Sequence, residues 1–227
     1  MPKKTVMFIR HAQALHNIDE NYKQHRDPGL TPEGESQALR LKEHLKMQFA
    51  NCKVDCILVS PMRRALSTAE IALDWLYVDR QVTVRVDALW QEVYDKPCDT
   101  GDEARCIKAE FPLPAFDFGG LDPVYPDKTS PRARRYHADR ESVLARGREA
   151  VRELAGMPGS DLVIVVSHGG FLRTAVTGRW FGNADYRVFD LEENGEDRFV
   201  LVEQPGRETG GMGMSKEGSV VLGTGLH

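Results

Sequence analysis

Four short runs of the chain are dominated by aliphatic and β-branched residues: Thr5–Ile9, Asp55–Val59, Val82–Val86 and Leu162–Val166. A strand with one wet face alternates apolar and polar positions. Near-continuous apolar runs instead suit strands covered on both faces, as in a parallel sheet. Between these runs the apolar spacing changes to three and four. Ala38, Leu41, Leu45 and Phe49 define one helical face; Thr31 is its predicted N-cap, Pro32 its first position, and Glu33 and Glu35 lie at its positive end. Ala65, Ala69, Ala72 and Leu76 predict a second helix, and Val143, Gly147, Val151 and Leu154 a third within Asp139–Ala155. A fourth is expected after Gly170. Strand and helix in alternation imply right-handed crossovers, and predict a three-layer α/β/α sandwich around a mostly parallel sheet.

Two stretches depart from this rhythm. Residues 93–137 hold Pro97, Pro112, Pro114, Pro123, Pro126 and Pro131 with Gly101, Gly119 and Gly120, and read as an irregular, lid-like insertion rather than a second domain. Residues 204–227 form a glycine-rich tail, either mobile or draped over the body. The expectation is thus one domain over residues 1–227, with Asn183, Asp185 and Arg187 shaping an edge strand. Within the insertion, Phe111, Phe116 and Phe118 are expected to anchor it by packing. The charged run Arg132, Arg134, Arg135, Tyr136 and His137 is expected to be a solvated face, and Lys23, His25 and Arg26 to border the pocket.

Composition narrows the function classes. A net charge of -4 and a pI near 6.0 argue against a nucleic-acid binder, while leaving room for a local anion pocket. No apolar run approaches a membrane span, and Arg10 interrupts the first apolar stretch too early for a secretory signal, so the cytoplasm is expected. None of Cys52, Cys56, Cys98 and Cys106 falls in a C-x-x-C pair or a zinc-ligand spacing, and free thiols are expected. Cys98 does not fit the C-x5-R loop of cysteine phosphatases: six residues separate it from Arg105, among them Asp99, Asp102 and Glu103.

In open α/β sheets the ligand crevice lies beyond the carboxyl ends of the strands. The first strand ends in Arg10 and His11, with Gln13, His16 and Asn17 close behind. The second is followed by Ser60-Pro61-Met62-Arg63-Arg64, the third by Leu89-Trp90-Gln91-Glu92, and the fourth by Ser167-His168-Gly169-Gly170. Phosphoryl transfer wants this inventory: cations for the equatorial oxygens, a nucleophile and a proton source. Arg10 beside His11 disfavours a positive charge on the imidazole. Glu103 and Glu110 share the loop with Glu92, which is preferred for its place after the third strand. Gln13 and His16 are read equally as phosphate-side donors or as polar surface residues, and Arg63 as a solvent-facing neighbour of Arg64.

This ordered set resembles the histidine phosphatase superfamily, also called phosphoglycerate mutase-like, and within it a fungal and plant branch. The Arg-His-Gly signature stands as Arg10-His11-Ala12, followed by Gln13 and Asn17. The element Ser-Pro-Leu-x-Arg-Ala-x-x-Thr-Ala stands as Ser60-Pro61-Met62-Arg63-Arg64-Ala65-Leu66-Ser67-Thr68-Ala69. The glutamate corresponds to Glu92 and His-Gly-Gly to His168-Gly169-Gly170, and the likeness runs to about Val202. The resemblance implies a phosphatase without metal or other cofactor, acting on a small phosphorylated metabolite. His11 would form a phosphohistidine; Arg10, Arg64 and His168 would clamp the phosphoryl group, helped by Asn17 and Gly169, and Glu92 would move the protons. Ala12 departs from the family's glycine, which matters if the backbone there needs a positive φ. The surroundings of Glu92 differ from those of the glycolytic mutases, so hydrolysis is expected ahead of a phosphomutase or a protein-directed regulatory phosphatase. A non-catalytic phospho-ligand scaffold is opposed by intact His11, Arg64, Glu92 and His168.

Overall fold

A computed structural model describes residues 4–159, 161–195, 199–206 and 208–227. Seven strands, β1 (Lys4–Arg10), β2 (Val54–Val59), β3 (Val84–Val86), β4 (Phe116–Asp117), β5 (Leu162–Ser167), β6 (Tyr186–Glu193) and β7 (Phe199–Glu203), form one sheet in the order β4-β3-β2-β5-β1-β6-β7. The first five positions of that order are mutually parallel; β6 and β7 complete the sheet by antiparallel pairing. The helices are α1 (Pro32–Phe49), α2 (Arg63–Ala72), α3 (Asp74–Tyr77), α4 (Ala104–Glu110), α5 (Arg140–Gly156) and α6 (Gly169–Phe171), the last continuing as a π-helical turn over Leu172–Thr177. Among the described residues no helix is long and apolar enough to cross a membrane.

The continuous apolar runs have the expected cause. Successive residues of a strand point to opposite faces, and here both faces are covered. Met7 and Ile9 pack with Ala38, Leu41 and Leu45 of α1 and with Ala65, Leu66 and Ala69 of α2. Val6 and Phe8 pack with Val143, Ala150 and Leu154 of α5 on the other side. The three-layer sandwich follows. Thr31 caps α1 as its sequence predicts, its hydroxyl accepting from the Gly34 N–H at 2.9 Å. Gly34 also lets α1 approach the loop after β1: a Cβ there would lie 2.0 Å from the Gln13 carbonyl oxygen.

Elsewhere the structure differs from the periodicity. The helix expected to reach Leu76 ends at Ala72; Leu73 leaves helical geometry and α3 restarts at Asp74, whose carboxylate accepts from the Trp75 N–H. Strand β3 starts at Val84 rather than Val82, because Gln81 adopts a left-handed φ of 56° and Val82 bonds back to Leu76. The insertion is partly regular. It contributes α4 and β4, and Phe116 pairs with Val84 at the sheet's outer end. Phe111 and Phe116 stack at 6.4 Å and are buried, the packing role expected of them. Arg63 is not a solvent-facing residue: it ties Asp27, Asp102 and Glu110 together and pins the insertion to α2.

The largest correction concerns the C-terminal third. Strand β6 lies inside the sheet between β1 and β7, so Asn183, Asp185 and Arg187 do not shape an edge. Asp185 and Arg187 organise the tail, and Asn183 turns toward the His11 carbonyl. Asp185 is fully buried and accepts from the N–H groups of Tyr186, Met212 and Met214 and from the Ser215 hydroxyl. Arg187, also buried, donates to the carbonyls of Trp180, Glu208 and Ser215 and pairs with Glu203. Farther along, the Val220 and Gly223 N–H groups bond to Gly178 and Thr174 and Leu226 is buried, so the tail is draped over the body. Asp185→Ala strands three main-chain N–H groups at once. Its expected cost is about 3 kcal/mol in urea unfolding, with new protease cleavage within 204–227 at native conditions; an unchanged midpoint contradicts the anchoring.

Candidate active site

The carboxyl ends of β1, β2 and β5 and the turn after β3 bring the expected residues together. His11 follows β1 and is 1% exposed; its main-chain N–H bonds to Ser167 at the end of β5. Its Nδ1 donates to the Ala12 carbonyl at 2.7 Å, which leaves the lone pair on Nε2. Nε2 accepts from Arg64 Nε at 3.2 Å. The His168 ring lies 5.2 Å from the His11 ring, and its Nε2 shares a 2.7 Å hydrogen bond with Ser60 Oγ, the first residue after β2. The Ala12 backbone is not among the positive-φ positions, and its N–H is held by Thr68 Oγ1 at 2.9 Å, so a glycine is not required there.

Arg64 is fully buried in the first turn of α2. Besides His11 it donates through Nη1 to the Cys98 carbonyl at 2.8 Å and approaches Asp99 through Nη2 at 3.5 Å. Arg10 donates from Nη1 to the Phe181 carbonyl at 2.9 Å, while its buried Nε has no partner. Gly169 makes room for that side chain: a Cβ would sit 2.9 Å from Arg10 Nε. Gly170 does the same for Glu92, where a Cβ would meet Oε1 at 2.5 Å. Glu92 Oε1 accepts from the N–H groups of Val93 and Phe171 at 2.9 and 2.8 Å, and Oε2 from Gly170 at 3.3 Å. Its two rivals lie elsewhere: Glu110 pairs with Arg63 and Glu103 with Arg105.

The remaining candidates divide. His16 joins the cluster, its ring 5.7 Å from that of His11. Asn17 is exposed beside it; its side-chain oxygen accepts from the Ala14 N–H and from Asn183 Nδ2, which also reaches the His11 carbonyl. Gln13 turns its side-chain oxygen to Thr31 Oγ1 at the start of α1. Lys23 pairs with Glu20, and Arg26 donates to the Gly101 carbonyl, fastening the loop rather than facing His11. Arg134 and Arg135 pair with Glu141 and Glu149 along α5, as a charged surface face does. Cys98 is buried, its thiol pushed up to about 11 by burial and then by Asp99, unlike a nucleophilic cysteine.

Three residues that sequence reading did not single out complete the surroundings. Lys128 is buried and donates to the carbonyls of Glu92, Tyr94 and Asp99 at 2.7, 2.8 and 2.6 Å. Arg146 of α5 reaches the Glu92 carbonyl at 3.2 Å and lies over the Phe171 ring at 4.2 Å. Asp99, 8% exposed, stands against Arg64. Proline and glycine density marked the neighbourhood of Asp99 and Lys128 as irregular and Arg146 falls in the expected third helix, but no periodicity points from Lys128 or Arg146 to Glu92, 36 and 54 residues away in sequence.

Burial and positive neighbours act together on the imidazoles. His11 is pushed well below the ordinary 6.5 by desolvation, then by Arg64, Arg10 and His16; His168 is lowered by burial and then by Arg64 and His11. His16 falls to about 3, chiefly by burial and then by Arg64 and Arg10. All three rings are neutral at physiological pH. An unfolded chain protonates them as pH drops through about 6.5, whereas the folded one does not, so the stability this confers is complete above that pH and is lost below it. Each histidine contributes up to about 1.4 kcal/mol per pH unit of slope. Asp27 and Asp99, raised to about 6 mainly by burial, oppose the trend only once pH falls through 6. Urea midpoints measured from pH 7.5 to 5.5 are therefore expected to decline, and a flat profile contradicts neutral burial.

Comparison with known proteins adds an independent line. A model of the histidine phosphatase superfamily (branch 1) matches residues 6–195. A protein of Schizosaccharomyces pombe named a probable phosphatase is 35% identical over 174 residues, covering 75% of this chain and 76% of its own. A phosphoglycerate mutase-like protein of Arabidopsis thaliana is 30% identical over 202 residues, covering 74% and 72%. The ecdysone phosphate phosphatase of Bombyx mori, solved with tungstate, shares the fold at a TM-score of 0.58 and 18% identity, over 89% of this chain and 93% of that one. With four strand ends supplying the expected residues and a family match across most of its length, the chain belongs to the histidine phosphatase superfamily and is a hydrolase of the phosphatase class.

Proposed function

We propose that the chain hydrolyses a small phosphorylated metabolite through a phosphohistidine on His11 Nε2, without a metal ion. The observation that carries this reading is the orientation of the His11 ring. Nδ1 is tied to the Ala12 carbonyl, so the nitrogen beside Arg64 is the one with a lone pair to give. In the first step Nε2 attacks phosphorus, the ester P–O bond breaks, and the leaving oxygen takes a proton from a carboxyl group of the site. In the second, water attacks the phosphohistidine, the N–P bond breaks, and a carboxylate accepts the water's proton. Glu92 is the carboxyl group that the family resemblance assigns to both transfers.

Arg64, Arg10 and His168 surround His11 with donors for the phosphoryl oxygens. Arg10 Nε and His168 Nδ1 are buried without a partner, and an incoming phosphoryl group supplies acceptors of the kind they lack. The guanidinium charges of Arg10 and Arg64 stand where a metal would otherwise offset negative charge, which supports the metal-free reading. A small substrate is supported by the deep burial of the nucleophile and by the acidic overall charge, which offers no extended basic surface for a polyanion. His11→Ala is expected to lower p-nitrophenyl phosphate hydrolysis by about 10³-fold or more. The wild type should keep its rate in EDTA and, on rapid quench, yield a phosphoprotein that is stable in alkali and labile in acid. Retained activity in the mutant, or a rate lost to EDTA and restored by a divalent cation, would sink the mechanism.

A further inference from the structure

Glu92 presents an unusual face for a residue asked both to give and to take a proton. Both of its oxygens are already met by donors: the Val93 and Phe171 N–H groups point at Oε1 and the Gly170 N–H at Oε2. That is an acceptor's environment, suited to receiving the proton of an attacking water. A second carboxyl group occupies the same site. Asp99 Oδ1 and His11 Nε2 contact different nitrogens of one guanidinium, Nη2 and Nε of Arg64. A phosphoryl group taken up on the Nε and Nη2 edge of Arg64 would lie beside both. Among the described residues no main-chain N–H is aimed at the Asp99 side chain, in contrast to Glu92. Lys128 fixes the two carboxyl groups relative to one another, because its ammonium holds the main-chain carbonyls of Glu92 and Asp99 together with that of Tyr94.

We infer that Asp99 is a second catalytic carboxyl group, the acid that protonates the leaving oxygen, while Glu92 serves as the base toward water. The inference rests on the phosphohistidine reading above and divides its proton traffic. As Nε2 of His11 bonds to phosphorus and the P–O ester bond breaks, the Asp99 proton passes to the alkoxide and the alcohol departs. Water then attacks, the N–P bond breaks, and the water's proton goes to Glu92. Transfer from Glu92 back to Asp99 restores both groups, so no co-reactant is needed. The charged surroundings of Asp99 agree with this role. Burial, and then Glu92, push its carboxyl up to about 6, against the opposing pull of Arg64 on α2, Lys128 on the segment before α5, and Lys96 on its own loop. Cys98 beside it is a neutral thiol at that pH, and Lys23 faces it from the loop after β1. Two carboxyl groups whose surroundings treat them differently are the usual basis of an acid and base pair.

The test compares two esters. p-Nitrophenoxide leaves readily as an anion, whereas the alkoxide of glycerol phosphate must be protonated as it leaves. Asp99→Asn is expected to lower kcat/KM for glycerol phosphate by about 10²-fold or more, and by at least tenfold more than for p-nitrophenyl phosphate. The ratio of the two losses does not depend on the fraction of enzyme that folds. The wild-type profile on glycerol phosphate should fall as pH rises through about 6, where Asp99 gives up its proton, and that limb should vanish in Asp99→Asn. Asp99→Glu should restore part of the lost discrimination. Glu92→Gln should instead release a burst of nitrophenol followed by slow turnover. Equal losses on the two esters, the result of a role confined to holding Arg64, overturn the proposal, as does a descending limb that survives in Asp99→Asn. Run in parallel, His11→Ala separates the two readings: hydrolysis retained there overturns the phosphohistidine, whereas an inactive His11→Ala with equal Asp99→Asn losses overturns Asp99 alone.

Discussion

A guanidinium without solvent, that of Arg64, is the constraint around which the site is built. Burying a cation is costly unless its donors are met, and the position makes matters worse. Arg64 sits in the first turn of α2, where the helix dipole disfavours positive charge. Its neighbour Arg63 is compensated by three carboxylates; Arg64 has a carbonyl, an imidazole nitrogen and one carboxyl group at 3.5 Å. The positive potential that remains is directed at His11, His16 and His168, and with burial it keeps all three neutral. One unfavourable placement thus prepares both the proposed nucleophile, His11, and an unspent charge for an anion. Local cost of this kind is tolerated where the surrounding core over-determines the geometry, and the two apolar faces of the sheet supply that core.

The parts of the structure that read clearly from sequence are those governed by local pattern. Strands β1, β2 and β5 are buried on both faces, and a doubly buried strand has no choice but to be apolar throughout. Helix α1 carries its cap, its N1 proline and its apolar stripe within one window. The residues at the strand ends were legible for a complementary reason: charged and polar groups that follow a buried strand have no role in its packing, so their chemistry stands out. His11, Glu92 and His168 stand out this way, whereas the choice of Arg64 over Arg63 rests on the family resemblance.

What escaped is whatever depends on distant pairing. Strand β4 is two residues long and exists because Phe116 meets Val84 across the sheet. Strand β7 is apolar from Phe199 to Val202, yet it alternates between half-buried and exposed and takes its place only by pairing with β6. Asp185 and Arg187 look like ordinary turn and strand polar residues, yet they hold a tail twenty to thirty residues farther along through its main-chain groups. Main-chain acceptors and donors have no residue signature, so contacts made to them leave no trace in composition. Lys128 is the extreme case, since all three of its partners are carbonyl oxygens.

That distinction separates two layers of the chemistry. In the proposed mechanism the groups that meet phosphorus sit on sheet strands and helix starts, where register with neighbouring strands fixes them to the core. The groups proposed to move protons, Glu92 and Asp99, sit on a loop held by Lys128 and Arg146, which lie outside the strand-end motifs, and by the Arg63 cluster. The loop is not independent of the phosphoryl clamp: Arg64 donates to the Cys98 carbonyl and approaches Asp99, while Ser60, Thr68, Ser167 and the Ala12 carbonyl support the clamp from outside the loop. On the proposed division of the proton traffic, a change in this insertion would therefore alter the release of leaving groups and the seating of Arg64 together.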